Sequence, residues 1–158
     1  MAVSEDGIGT ANDDAARAFV DGLAAAGVRH ACVTPGSRST PLTVALARQS
    51  FIKPWLHLDE RSSAFFALGL ARASEQPVAV VCTSGTAAAN FHPAVVEADL
   101  SRIPLILCTA DRPPRLRDAG ADQTTVQQGM FGRSVRWERD LHVPCGQPGE
   151  GRQFRATA

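Results

Sequence analysis

PVAVVCTSGTAAAN, residues 77–90, runs from an unbroken apolar stretch into a glycine and three alanines. The stretch is valine-rich and does not alternate, which is how a strand buried on both faces of a parallel sheet reads. Upstream, HACVT (30–34) has the same character, and so does PLILCTAD (104–111) downstream. PWLHLD (54–59) supplies a further short run. These runs start near residues 31, 55, 78 and 105, and a helix-compatible segment lies between each pair. Such spacing suits βαβ units, and the fold class is α/β: a doubly wound parallel sheet with helices on both faces.

The intervening segments carry helical signals. Asp13 to Gly27 places Ala16, Phe19, Val20 and Leu23 on one face, with Gly27 as the C-terminal stop. Thr40 to Gln49 carries Pro41 in its first turn. Arg61–Ser74 and Thr86–Leu100 repeat the pattern, and Ser134–Trp137 reads as a weaker fifth strand. From about Asp140 the periodicity fails. Residues 1–139 therefore read as one domain and residues 140–158 as a linker-like tail, the start of a further domain.

At 158 residues the chain has room for one ordinary domain. Sixteen basic groups balance sixteen acidic ones, which excludes a strong global case for nucleic acid or an anionic membrane. Lys53 is the only lysine; the arginine bias suits carboxylate and phosphate binding and equally fits a GC-rich genome. No stretch approaches the roughly 20 apolar residues that span a bilayer. The acidic N-terminus MAVSEDGIGTANDD is not a secretory signal. Cys32, Cys82, Cys108 and Cys145 lack metal-ligand spacing, so a cytoplasmic protein with reduced thiols is expected.

In an open α/β sheet, ligands collect at the carboxyl ends of the strands, and the unusual clusters all fall there. Pro35-Gly36-Ser37-Arg38-Ser39-Thr40-Pro41 follows the first run: Ser39 or Thr40 can cap a helix whose free N–H groups favour an anion, with Arg38 as a bidentate donor. The same residues also fit an ordinary strand-to-helix turn. After the second run, Asp59-Glu60 beside Ala64-Phe65-Phe66 offers a tunable carboxylate, or simply a cap and a favourable first-turn charge. Thr86 and Asn90 add polar atoms beside small residues that also serve tight packing. The loop Asp111-Arg112-Pro113-Pro114-Arg115-Leu116-Arg117, followed by Gly120 to Gln123, is either a stiff anion-binding loop or a solvated basic one. Gly7-Ile8-Gly9 follows no strand, and no phosphate-loop, nucleophile-elbow or HExxH motif occurs.

Taken in order, VTPGSRSTPL, LDERSSAFFALGLARAS, PVAVVCTSGTAAANFHPAVVEA and PLILCTADRPPRLRDAGADQTTVQQGMFG resemble one enzyme family. It is 2-succinyl-5-enolpyruvyl-6-hydroxy-3-cyclohexene-1-carboxylate synthase, the thiamine-diphosphate enzyme of menaquinone biosynthesis, and the resembling part is its N-terminal pyrimidine-binding domain. The likeness runs from about Ala15 to Trp137. PGSRSTPL and TADRPP are distinctive of it, whereas the glutamate and the TSGT turn are shared with other thiamine-diphosphate decarboxylases and synthases.

The resemblance implies a cofactor, thiamine diphosphate, whose aminopyrimidine N1′ would be hydrogen-bonded by Glu60, the catalytic candidate. It implies decarboxylation of 2-oxoglutarate and addition of the succinyl carbanion to isochorismate. Pro35, Gly36, Thr86 and Asn90 match positions lining the pyrimidine pocket. Ser37, Arg38, Arg112 and Gln123 match polar residues facing the substrates' carboxylates and hydroxyls. Members are several times longer, with a C-terminal domain that binds Mg²⁺ (or Mn²⁺) and the diphosphate through a GDG motif, which this sequence lacks. An inactive first domain of a homodimer or dimer of dimers is the expectation. A non-catalytic α/β module, or the pyrimidine domain of another 2-oxo acid enzyme, are the alternatives.

Overall fold

In the computed structural model, which describes residues 5–158, the chain opens with helix α1 (Glu5–Ala25). Strand β1 (His30–Val33), helix α2 (Thr40–Arg48), strand β2 (Lys53–Leu56) and helix α3 (Glu60–Ser74) follow. Next come strand β3 (Val78–Cys82), the short helix α4 (Thr86–Ala89), helix α5 (His92–Ser101) and strand β4 (Leu105–Thr109). After a long irregular stretch with single 3₁₀ turns, helix α6 (Glu150–Thr157) ends the described structure. The four strands form one parallel sheet in the order β2-β1-β3-β4, as the doubly wound reading requires.

Side-chain alternation on β3 shows how both faces are used. Val78, Val80 and Cys82 pack with Ala64, Ala67, Phe91 and Val95 of α3 and the α4–α5 segment. Ala79 and Val81 pack the other way, with Val20 and Leu23 of α1 and Leu46 of α2. All five β3 residues are buried, which is why the run tolerates no polar position. β1 and β3 are central and point their chain connections in opposite directions, so the crevice between their carboxyl ends is the switch point of the sheet.

The helix boundaries follow local chemistry. Gly27 stops α1 at φ +99°, with the Val28 N–H returning to the Leu23 carbonyl. α1 begins well before Asp13, the residue at which the sequence pattern opens. The stretch expected as one helix over Thr86–Leu100 is two, because Pro93 has no N–H to continue a helix and instead sits in the first turn of α5.

Three expectations are corrected. Ser134–Trp137 forms no strand: a 3₁₀ turn spans Gly132–Ser134 and Trp137 is exposed, while Phe131 and Val135 plug the α3–α5 face. β4 is an edge strand only partly covered, although its apolar run reads as fully buried. The tail expected as a linker carries α6, which docks on α1. Small residues make that contact: a Cβ at Gly22 would lie 2.5 Å from the Arg155 carbonyl oxygen, and Gly151 faces Ala18. Phe154 is buried, and the Glu150 carboxylate accepts the N–H groups of Cys145 and Gly146.

Candidate functional site

Because the strands are parallel and in register, their carboxyl ends share one edge. Val33 lies between Leu56 and Val81, and Cys82 pairs with Thr109. The ladder continues one residue further, from the His57 N–H to the Val33 carbonyl, the Thr34 N–H to Val81 and the Ala110 N–H to Cys82. The segments opening at Pro35, Asp59, Ser84 and Asp111 therefore leave the sheet side by side.

Packing fixes the turn after β1. A Cβ at Gly36 would fall 2.2 Å from the Thr83 Cβ, so only glycine lets this loop pass across the end of β3. Ser39 occupies the N-cap position of α2, but its hydroxyl donates to the Gly36 carbonyl at 3.0 Å and caps nothing; Thr40 is no cap either. After β2 the two carboxylates divide their roles. Asp59 is the N-cap of α3 and accepts the Ser62 N–H at 2.8 Å, which holds its carboxyl below the usual range. Glu60 is the first residue of α3, half-buried, and its carboxylate takes no hydrogen bond or ion pair among the described residues. Burial pushes the Cys82 thiol up, and the Glu60 charge adds to that shift, so the carboxylate acts on the end of β3.

The third turn is clamped from a distant loop. The buried Ser84 hydroxyl donates to the Gln123 carbonyl at 2.9 Å, and the Gly85 N–H donates to Gln127 Oε1 at 2.8 Å. Gly85 has φ +83°, and a Cβ there would sit 2.9 Å from the Gln123 oxygen. Gln123 itself is left-handed at φ +56°, a conformation that costs about 1 kcal/mol and is held here by those contacts. Beside β4 a cleft of about 340 Å³ opens, lined by Asp111, Arg117, Thr124, Thr125, Gln127 and Gln128. The loop is not a solvated basic one, since Arg117 is largely covered and paired with Asp111 and Asp140.

A division of labour emerges along this edge. Ser39, Asp59, Ser84, Asp111, Arg117 and Gln127 spend their side chains on the scaffold. Ser37, Arg38, Thr86, Asn90 and Gln123 are exposed, and their side chains make no hydrogen bond among the described residues. Pro35 is exposed beside them, and Arg112 keeps a buried Nε without a partner. Asn90 stands at the far end of α4, on the same face as Thr86 but a turn further from the sheet. His57 Nε2 and Ser63 Oγ, three residues to either side of Glu60, are also buried and unpartnered. The sequence reading placed His57 and Arg117 within its clusters without a role for either and missed Ser63 and Gln127; only the repeated glutamine in an otherwise irregular loop pointed to the last.

The family described as thiamine pyrophosphate enzyme, N-terminal TPP binding domain, matches residues 13–131. The chain belongs to that family. Every segment of the edge described above lies within the match. Proteins named 2-succinyl-5-enolpyruvyl-6-hydroxy-3-cyclohexene-1-carboxylate synthase are similar to it. The one from Chloroflexus aurantiacus is 61% identical over 127 residues, covering 80% of this chain and 22% of the relative. The one from Haloarcula marismortui is 56% identical over 143 residues, 90% of this chain and 24% of the relative. The one from Geobacillus kaustophilus is 58% identical over 129 residues, 82% and 22% respectively. This TPP-binding domain thus spans less than a quarter of the length of those curated relatives.

The edge fits the pyrimidine end of the cofactor on its own chemistry. A carboxylate with no hydrogen bond or ion pair among the described residues opens α3, the Gly36 turn leaves no side chain in the crevice, and His57 Nε2, Ser63 Oγ and Arg112 Nε on the neighbouring segments are buried without partners. Among the described residues no helix is long and apolar enough to cross a membrane, and no group of His, Cys, Asp and Glu could hold a metal ion.

Proposed function

We propose that the chain is the pyrimidine-side domain of a thiamine-diphosphate-dependent synthase that joins 2-oxoglutarate, after decarboxylation, to isochorismate in menaquinone biosynthesis. The observation that carries this reading is the uncommitted Glu60 on the same sheet edge as the free Arg38 and Arg112, whose Nε is buried without a partner. The names of the relatives support the choice of substrates.

Thiamine diphosphate, when bound, supplies the nucleophilic carbon for 2-oxo acid decarboxylation. Glu60 would hold a proton at the pyrimidine N1′, a hydrogen bond that strengthens once a covering surface excludes water from it. Pro35, Gly36, Thr86 and Asn90 form the wall against the ring. Ser37, Arg38, Arg112 and Gln123 orient the carboxylates and hydroxyls of the two substrates. The diphosphate and a Mg²⁺ (or Mn²⁺) ion belong to another domain of the complete enzyme. The exposed apolar side chains Leu56, Leu58, Phe65 and Phe66, on the segments that flank Glu60 in the chain, support a site covered by a second subunit, in a homodimer or dimer of dimers. The domain alone then has no synthase activity. Four free cysteines, three of them buried, suit a cytoplasmic setting.

The test is a coupled assay of the full-length enzyme carrying this domain, with thiamine diphosphate and Mg²⁺. Carbon dioxide release from 2-oxoglutarate that rises on adding isochorismate, with formation of the adduct, is the expected result. Release indifferent to isochorismate overturns the reading.

A further inference from the structure

The peptide of Arg112 is gripped from both sides. Its N–H donates to Asp111 Oδ1 at 2.7 Å, and its carbonyl accepts from Arg117 Nε at 3.1 Å. Arg117 closes the ring by holding Asp111 Oδ2 at 3.0 Å through Nη2. The outer edge of the same guanidinium binds Asp140 through Nη1 at 2.8 Å and Nη2 at 3.2 Å, and Gln128 Nε2 also donates to Asp140. One side chain thus ties the end of β4 to two further loop segments. Pro113, at φ −61° and ψ 151°, fixes the chain direction immediately after Arg112.

The charges divide in a way that leaves Arg112 spare. Asp111 and Asp140 are both committed to Arg117, and the Arg112 guanidinium makes no ion pair among the described residues, with its Nε buried and unpartnered. Resting on the reading of Arg112 as a substrate-carboxylate donor, we infer that Arg117 is its positioning residue. It touches no substrate; it fixes the peptide from which the Arg112 side chain departs and absorbs the two carboxylates that would otherwise compete for it. Nε, Nη1 and Nη2 are all used at once, which the single ammonium of lysine cannot reproduce.

The experiment uses the 158-residue chain, arginine Nε–H resonances in ¹H–¹⁵N spectra, and succinate as the probe. In the unmodified chain, succinate shifts the Arg112 Nε–H resonance saturably. Arg117→Lys should keep the thermal midpoint within a few degrees, move the Arg112 Nε–H towards the free-arginine position and weaken succinate by about tenfold or more. Asp140→Asn, at an exposed loop position outside the core, should give the same spectral change and a smaller loss; it serves if Arg117→Lys does not fold. Arg112→Ala should abolish the response. If Arg112→Ala abolishes binding while Arg117→Lys and Asp140→Asn bind as before, the positioning role is overturned and the reading of Arg112 stands. If succinate does not perturb Arg112, or binds equally without it, both fall.

Discussion

The Gly85 N–H donates to Gln127 Oε1 at 2.8 Å, although 42 residues separate them in the chain. The amide of Gln127 turns its other end to the Ala110 carbonyl at 3.1 Å, so one side chain stitches the turn after β3 to the end of β4. Two strand ends that carry candidate site residues are thereby held at a fixed spacing.

Gln127→Ala should leave the Gly85 N–H and the Ala110 carbonyl without partners and destabilise the domain by about 1–3 kcal/mol. Gln127→Glu keeps the acceptor for Gly85 but sets a carboxylate oxygen against the Ala110 carbonyl, so it should also destabilise the domain, and more so above the carboxyl's pKa than below it. Chemical denaturation measures both. Amide exchange at Gly85 should accelerate in the alanine variant and stay slow in the glutamate variant. Equal stability of Gln127→Ala and the parent would contradict the stitch.

The turn at Gly36 makes a sharper prediction. Gly36→Ala puts a Cβ 2.2 Å from the Thr83 Cβ, against the carboxyl end of a central strand that cannot move freely. A cost of roughly 1–3 kcal/mol is expected from such overpacking. Thr83→Ala should not rescue it, since the clash is with Cβ itself. Thr83→Gly should recover part of the loss in a double-mutant cycle. Rescue by alanine would place the conflict elsewhere.

The sheet was legible because buried parallel strands leave an uninterrupted apolar record, as in Val78–Cys82, and the site edge followed from where those runs stop. What escaped was structure made by small or polar residues. α6 docks through Gly22, Gly151 and Ala18, which carry no periodic apolar signal, and Phe154 alone could not announce it. The Ser134–Trp137 stretch looked like a strand because Val135 and Trp137 alternate with polar residues; there the chain instead follows the 3₁₀ turn that seats Phe131. Asp59 as a cap and Glu60 as a first-turn charge were legible in sequence; whether either carboxylate was left free for chemistry was not. Cap geometry resolved it, by engaging the first and leaving the second free.

The docking of α6 should depend on pH. Burial raises the Glu150 carboxyl, but the N–H groups of Cys145 and Gly146, with His142, more than offset it and leave it below its usual value. A carboxyl lowered in the folded state contributes fully above its unfolded value of about 4.3 and loses that contribution as pH falls through the folded one. Amide exchange in α6 should therefore be slow at neutral pH and, after correction for intrinsic rates, accelerate below about pH 4. Glu150→Gln should remove most of that acid dependence. Gly22→Val should release the helix at every pH, since its Cβ meets the Arg155 backbone.

If the diphosphate and metal are held by another domain, the isolated chain should bind cofactor no better than about millimolar, some 4 kcal/mol. Titration calorimetry with thiamine diphosphate and Mg²⁺ checks this. Micromolar, Mg²⁺-dependent binding by the 158-residue chain would put the anchoring site within it.

Glu60 is where the account is most exposed. The decisive measurement is exchange of the thiazolium C2 proton of bound thiamine diphosphate, followed by NMR after acid quench, in the full-length enzyme and its Glu60→Gln variant. An amide cannot share a proton with N1′ as a carboxyl does, so the account predicts exchange slowed by at least about two orders of magnitude, with the fold and thermal midpoint unchanged. Exchange at the parent rate in Glu60→Gln would contradict it and remove this edge of the sheet from the cofactor's chemistry.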